Sequence, residues 1–195
     1  MESLTLESLL GIGAGLALAA AAGFRVFVPL LVVSVAARGG WLEVGPGFEW
    51  ISTTQAFLVF STATLLEIAA YYVPFFDNVL DGVAAPAAVI AGILASASVM
   101  VDLPPWLYYP VAIVGAGSTA GLVAGSTSLL RLKSSALTAG LGNAFLATFE
   151  LLGAFGVAVV AVLVPVLALA VVVVLLAFAI RRLTGRPLRP GSSAP

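Results

Sequence analysis

The sequence predicts an all-α membrane protein, a polytopic bundle of about six transmembrane helices. Hydrophobic residues make up 62% of the 195 residues, against about 45–50% in soluble domains. Charged residues make up 9%, where a soluble domain has about 25%. Apolar stretches of the roughly 20 residues needed to cross a bilayer recur along the chain. We expect one transmembrane domain over 1–182 and a disordered cytoplasmic tail over 183–195.

The composition also restricts the chemistry. The chain contains no Cys and no His, which excludes thiol nucleophiles, iron–sulfur clusters, Ser-His dyads and His-ligated haem or zinc. Its eight Lys and Arg residues are too few for the basic patch of a nucleic-acid-binding protein. We therefore expect no enzymatic activity, no catalytic residues, no cofactor, no bound metal and no nucleic-acid partner.

The first apolar stretch covers 9–37. As one straight helix it would be about 43 Å long, well beyond the hydrocarbon core of about 30 Å. It also contains Arg25 and Pro29, a charge and a helix-breaking residue in its interior. We interpret it as one span that is either tilted or broken near 23–29.

Five further spans are predicted, at 53–73, 83–101, 110–130, 136–160 and 165–180. Trp41, Trp50 and Trp106 lie in the connections, where aromatic residues are typical of the membrane interface. The region 134–180 contains one charged residue, Glu150, and is too long for a single helix in a bilayer. It is therefore divided into two spans that meet near Pro165.

The basic residues predict the orientation. Six spans place both termini and the connection at 131–135 on the same face. Six of the eight basic residues then lie on that face, in the connection and in the tail after residue 180. The positive-inside rule makes this face cytoplasmic. We expect a multi-pass protein of the inner (plasma) membrane with both termini in the cytoplasm.

Small residues indicate an internal repeat. A shift of 102 positions brings 13–15 onto 115–117, both Gly-Ala-Gly. Spans one and four would run in opposite directions, which gives a three-plus-three inverted repeat; the alternative is plain packing of small residues. Under both interpretations spans one and four form the central contact, and Gly121 packs against span one. The candidate helix-packing residues are Gly15, Gly23, Gly117, Gly121 and Gly125.

Ionisable residues within the spans are candidate site residues, since a charge at membrane depth usually faces a bundle interior or an aqueous cavity. Arg25 is either a ligand for an anion or one half of an ion pair with Glu67, Glu150 or both. Asn143 follows two glycines at 140–142. It is either an ion or substrate ligand or an amide that bonds across a glycine-permitted bend.

A second group of candidates lies between the second and third spans. Asp77 and Asp81 are four residues apart and share one helix face, with Asn78 between them. Two such carboxylates can hold a divalent cation or stabilise the amino terminus of span three.

Three segments carry a family resemblance: Ala-Gly-Phe-Arg-Val-Phe-Val-Pro-Leu at 22–30, Glu-Ile-Ala-Ala-Tyr-Tyr-Val-Pro-Phe-Phe-Asp at 67–77, and Gly-Leu-Gly-Asn at 140–143 followed by Thr148 and Glu150. In order and spacing the chain resembles the membrane family catalogued as domain of unknown function 4126. Many relatives carry Asp-Lys where this chain has Tyr71-Tyr72. The resemblance implies a small multi-span membrane protein and no established activity.

The leading functional hypothesis is a transporter or channel for a small solute or ion. Its site would lie between the spans around Arg25, Glu67, Asn143 and Glu150. The alternatives are a non-transporting structural or interaction protein of the membrane and an enzyme that acts on lipid through Asp77 and Asp81. The expected partners are the lipid bilayer, an unidentified solute or ion and a second copy of the chain in a homo-oligomer.

Overall fold

The computed structural model describes residues 5–72, 74–101, 103–138 and 141–171, with 74–82 described by their backbone alone. Over these residues every regular element is helical: α1 Leu6–Phe24, α2 Phe27–Arg38, α3 Thr54–Tyr71, α4 Pro74–Val99, α5 Pro105–Tyr109, α6 Gly117–Thr138 and α7 Asn143–Leu163. A 3-10 turn, Glu49–Ser52, precedes α3, and a π-helical segment, Pro110–Ala116, joins α5 to α6. Helix resumes at 165 and continues to 171. The predicted all-α fold is confirmed.

Within the described part of the chain, four helical segments are long and apolar enough to cross a membrane: Leu6–Phe24, Thr54–Tyr71, Pro105–Thr138 and Asn143–Leu163. α2, Phe27–Arg38, is a shorter apolar helix, and the part of α4 whose side chains are described, Val83–Val99, is apolar as well. The fourth predicted span, 110–130, is the middle of a continuous helical segment of 34 residues. The chain therefore has several helices fit to cross a membrane, as expected of an integral membrane protein.

The first apolar stretch is broken at Arg25, inside the predicted interval 23–29. Arg25 has an extended backbone, with φ −145° and ψ 121°, and ends α1. α2 starts two residues later at Phe27. Pro29 lies in the first turn of α2, where a missing N–H has no intrahelical partner to lose.

At this break the chain reverses direction. Glu7 and Ser8 at the start of α1 line the same cavity as Leu42 and Glu43, which follow α2. Arg25, at the other end of α1, bonds to the carbonyl of Ala147 near the start of α7. α1 and α2 therefore form a helical hairpin, and the prediction of a single span over 9–37 is wrong. With twelve residues, α2 is about 18 Å long and cannot cross the bilayer alone.

The hairpin changes the relation between the first and fourth predicted spans. A Cβ added to Gly115 would lie 3.5 Å from Leu16, and one added to Gly23 would lie 2.5 Å from Val123. α1 and α6 therefore lie side by side and run in the same direction. The inverted repeat requires that these two helices run in opposite directions, which they do not. The six-span prediction did not include the reversal of the chain at Arg25.

The reversal also separates the amino terminus from the connection after α6. The start of α1 lies at the end of the bundle where α4 ends, since Gly11 faces Val99 and Met100. The end of α6 lies at the opposite end, where Ser135 bonds to Asn143 at the start of α7. The start of α1 and residues 131–135 therefore lie at opposite ends of the bundle, whereas the prediction placed the amino terminus and 131–135 on one membrane face.

Single cysteines test this arrangement, since the native chain has no Cys. We expect Ser52→Cys, before α3, and Ser134→Cys, near the end of α6, to react with an impermeant maleimide from opposite faces of sealed vesicles. Labelling of both from the same face would contradict the hairpin.

Small residues allow α1 to approach two neighbours closely. A Cβ at Gly15 would lie 2.6 Å from Ser96 Oγ of α4. A Cβ at Gly23 would lie 2.7 Å from the carbonyl oxygen of Ala120 in α6. The absence of side chains at Gly15 and Gly23 thus brings α1 into backbone contact with α4 and α6.

The glycines of α6 have other neighbours. Cβ atoms at Gly117 and Gly121 would contact Ile93 and Val89 of α4, each at 3.2 Å, and one at Gly125 would meet no atom within 4 Å. The expected packing of Gly121 against span one is therefore wrong. Residues four apart drift by about 40° per step around an α-helix, so this stripe turns away from α1.

Two glycine substitutions separate close packing from helix propensity. We expect Gly23→Ala to destabilise the protein by about 1–3 kcal/mol, because the new methyl group meets a backbone oxygen that cannot move aside. Gly125→Ala should be neutral or slightly stabilising, since Ala favours helix over Gly. Thermal unfolding in detergent measures both variants, and equal melting temperatures would contradict the close contact at Gly23.

Candidate functional site

Five side chains from four parts of the fold form a buried cluster, which we call the Arg–Tyr–Arg cluster. Its members are Arg25 at the α1–α2 break, Glu67 and Tyr71 on α3, Arg131 on α6 and Glu150 on α7. None is more than 8% exposed. Charged groups at membrane depth are unfavourable unless they are paired with one another, so their mutual contacts determine whether this arrangement is stable.

Glu150 is the carboxylate that both arginines share. Arg131 donates to it twice, through Nη2 to Oε2 and through Nε to Oε1 at 3.2 Å. This two-pronged geometry is the strongest pairing available to a guanidinium and a carboxylate. Arg25 forms a second ion pair, with 3.7 Å between its Nη2 and Glu150 Oε2. The expected ion pair of Arg25 with Glu150 is therefore present.

Arg25 is the most deeply buried charged group of the cluster, at 1% exposure. Its Nη2 donates to the carbonyl of Ala147 at 2.7 Å, one turn before Glu150 on α7. Its Nε and Nη1 have no hydrogen-bond partner among the residues that the structure describes. The Nε and Nη1 groups of Arg25 can therefore still donate hydrogen bonds to a further acceptor within the bundle.

Tyr71 separates the two arginines. The Cζ atoms of Arg25 and Arg131 lie 3.9 Å and 4.1 Å from the centre of its ring. Two guanidiniums at such distances cannot share one ring face, so the ring lies between them. Each cation is attracted to the negative face of the ring, and the ring keeps the two like charges apart.

Glu67 binds the backbone at the start of α2. Its Oε1 accepts the N–H of Val26 at 2.8 Å, and its Oε2 accepts the N–H of Phe27 at 3.1 Å. The first N–H groups of a helix have no partner within the helix, and the helix dipole favours negative charge there. Glu67 therefore stabilises the break at Arg25 from a neighbouring helix.

A small polar cavity adjoins the cluster. It measures about 10 Å³ and is lined by polar side chains of the cluster, by two larger apolar residues and by small residues of α1, α4 and α6. The polar side chains are Glu67, Tyr71, Arg131 and Glu150, and the apolar ones are Phe24 and Val26. This volume is about the minimum that one water molecule requires. A cavity of this size has no room for a larger solute.

Two members of the cluster, Tyr71 and Arg131, are not among the predicted site residues. Tyr71 carries no charge, and Arg131 follows an apolar stretch, where a basic residue indicates membrane orientation. The buried residues of α6 are Gly117, Ala120, Ala124 and Arg131. Arg131 follows Ala124 by seven residues and Gly117 by fourteen, the spacing of one helix face. That periodicity is the signal that could have identified it.

The remaining candidates lie elsewhere. Asn143 is buried, and its Nδ2 donates to Ser135 Oγ at 2.9 Å, which ties the start of α7 to the end of α6. The side chains of Asp77, Asn78 and Asp81 lie outside the described residues. Over the part of the chain that the structure describes, no three His, Cys, Asp or Glu side chains are grouped to hold a metal ion.

The three family-like segments supply most of the cluster. Segment 22–30 provides Arg25, segment 67–77 provides Glu67 and Tyr71, and Glu150 follows the third segment. The family model described as a domain of unknown function (DUF4126) matches residues 12–184. The chain belongs to this family. No curated protein and no solved structure matches it.

Tyr71 offers a test of the cluster in this DUF4126 protein. We expect Tyr71→Leu to lower the free energy of unfolding by about 1–3 kcal/mol, because it removes two cation–ring contacts and brings the arginines' charges closer. Tyr71→Phe keeps the ring and should lose less. Equal losses in the two variants would show that the ring faces contribute nothing, and thermal unfolding in detergent distinguishes the outcomes.

Proposed function

We propose that the protein is a membrane transporter for a small solute or ion and that the Arg–Tyr–Arg cluster is its central site. The observation that carries this proposal is the position of the cluster, four charged side chains within an apolar bundle, at the end of a broken helix. Ionisable residues at membrane depth commonly mark solute or ion pathways. Broken helices supply backbone groups that bind solutes in transporters.

The closed cavity supports an occluded state of such a transporter, in which the helices must move before a solute can enter. It equally supports the second candidate function, a structural membrane protein whose buried charges only hold helices together. We favour transport because Glu67 and Arg25 place charge at a helix break, where plain helix packing requires none. An enzymatic role is not part of the proposal.

We further propose that the face at the end of α6 is cytoplasmic, because Lys133 lies there and basic residues concentrate on the cytoplasmic side. The start of α1 would then lie on the opposite face of an inner (plasma) membrane. The predicted last span, 165–180, is described only to 171, and the predicted tail lies outside the described residues.

Reconstitution into sealed liposomes tests the transport proposal. Vesicle swelling would be followed in sodium chloride, sodium formate and glycerol, and internal pH would be followed with a trapped dye. We expect flux of at least one of these solutes above that of protein-free liposomes. The same background rate for protein and empty liposomes with every probe would overturn the proposal in favour of the structural role.

A further inference from the structure

We propose that Glu67 occupies the binding site of a small monovalent anion with a carboxylate-like head, and that this anion is the transported solute. The inference rests on the proposed function and adds the class of substrate. It follows from the geometry at the start of α2, from unused donors beside it and from the charges of the cluster.

The carboxylate of Glu67 is bound in the way that a free carboxylate ligand would be. Its two oxygens each accept one of two consecutive backbone N–H groups, those of Val26 and Phe27. Helix amino termini bind free anions in this way. The carboxylate comes from α3 and not from α2 itself, so a movement of α3 relative to the α1–α2 hairpin would withdraw it and leave the two N–H groups free.

Unused donors lie beside this amino terminus. Arg25 precedes Val26 in the chain, is 99% buried, and has no acceptor for Nε or Nη1 in the described part of the molecule. Thr64, one turn before Glu67 on α3, is 3% exposed, and its hydroxyl likewise has no partner there. Buried donors without acceptors are unfavourable. A small oxyanion fits these unused donors better than a cation does, because each of its oxygens can accept more than one hydrogen bond.

The charges of the cluster determine how many negative charges the bound anion carries. Arg25 and Arg131 balance Glu67 and Glu150 in this structure. When the Glu67 carboxylate is withdrawn or protonated, one positive charge is uncompensated, and one monovalent anion restores the balance. The cavity of about 10 Å³ together with the space of one carboxylate admits only a small head group. Withdrawal of Glu67 in its protonated form would couple one proton to each anion.

The charged and titratable groups around Glu67 come from the hairpin, from α3 itself, from α6 and from α7. Arg25 lies at the hairpin, Arg131 on α6 and Glu150 on α7, and Tyr71 lies one turn further along α3. From α4, the described side chains that line the cavity are Ala84 and Ala88, which do not titrate.

Formate is the probe for this site, and Glu67→Gln is the variant, because its amide mimics the protonated acid. The melting temperature in detergent would be measured in sodium formate and in sodium gluconate at equal ionic strength, since gluconate is too large for the cavity. We expect formate at about ten times its Kd to raise the melting temperature of Glu67→Gln by about 3–5 °C. Wild type should respond less at neutral pH, and the control Glu43→Gln, a change at an exposed loop carboxylate, should behave as wild type.

Wild-type protein provides a second measurement if Glu67→Gln fails to fold. Its formate-dependent shift should increase as the pH is lowered and Glu67 becomes protonated, and this increase should be absent in Arg25→Gln. No formate-dependent shift in the variant, and none in wild type at low pH, would overturn the anion site. Formate stabilisation without flux of any solute would keep the anion site and overturn transport. Flux of glycerol or sodium ion without formate stabilisation would keep transport and overturn the anion class.

Discussion

Glu150→Gln is expected to destabilise the protein by about 3–5 kcal/mol, the loss typical of removing one partner from a buried charge pair. Glu150 is the carboxylate shared by Arg131 and Arg25. The amide keeps the shape of the side chain but leaves two buried guanidiniums with one carboxylate, that of Glu67. Glu43→Gln, which removes an exposed carboxylate, should change stability by less than about 0.5 kcal/mol. Thermal and chemical unfolding in detergent would measure both.

A double variant distinguishes charge imbalance from lost packing. Arg131→Met combined with Glu150→Gln removes one charge of each sign and leaves Arg25 with Glu67. Replacement of a whole buried pair is often close to neutral, so the double variant should recover most of the stability that Glu150→Gln loses. A double variant that is less stable than the single variant would show that Arg131 is held by other interactions.

The sequence predicted either a tilt or a break in the first apolar stretch, because Arg25 and Pro29 are both unfavourable inside an apolar helix. It did not predict the reversal. A long apolar stretch is compatible with a tilted span and with a hairpin. The direction of α2 depends on the extended backbone of Arg25 and on the packing of α2 against α3. For the same reason, the sequence did not predict that the start of α1 and residues 131–135 lie at opposite ends of the bundle.

The candidate site was predicted in part. Arg25, Glu67 and Glu150 were identified because isolated charges in apolar spans are conspicuous. The bonding of Glu67 was not predictable, since its partners are the backbone amides of Val26 and Phe27, which every residue except proline carries. Arg131 was missed because a basic residue near the end of a span has a simpler explanation in membrane orientation.

The Arg131→Met/Glu150→Gln double variant also has the largest expected effect on function. If the cluster binds the solute, removal of one guanidinium from the Tyr71 ring and of the shared carboxylate should reduce flux at least tenfold, equivalent to about 1.4 kcal/mol of lost stabilisation. If the cluster only holds helices together, a variant that regains its stability should regain its flux. If the cluster is the transport site, this double variant therefore regains stability but not flux.

The most direct test of the central claim is the rate of solute flux in liposomes that contain equal amounts of folded wild type and folded Arg131→Met/Glu150→Gln. Melting temperature and elution volume would establish that both proteins are intact before reconstitution. We predict flux for wild type and a rate close to that of empty liposomes for the double variant. Equal flux from the two proteins would contradict the assignment of the Arg–Tyr–Arg cluster as the transport site.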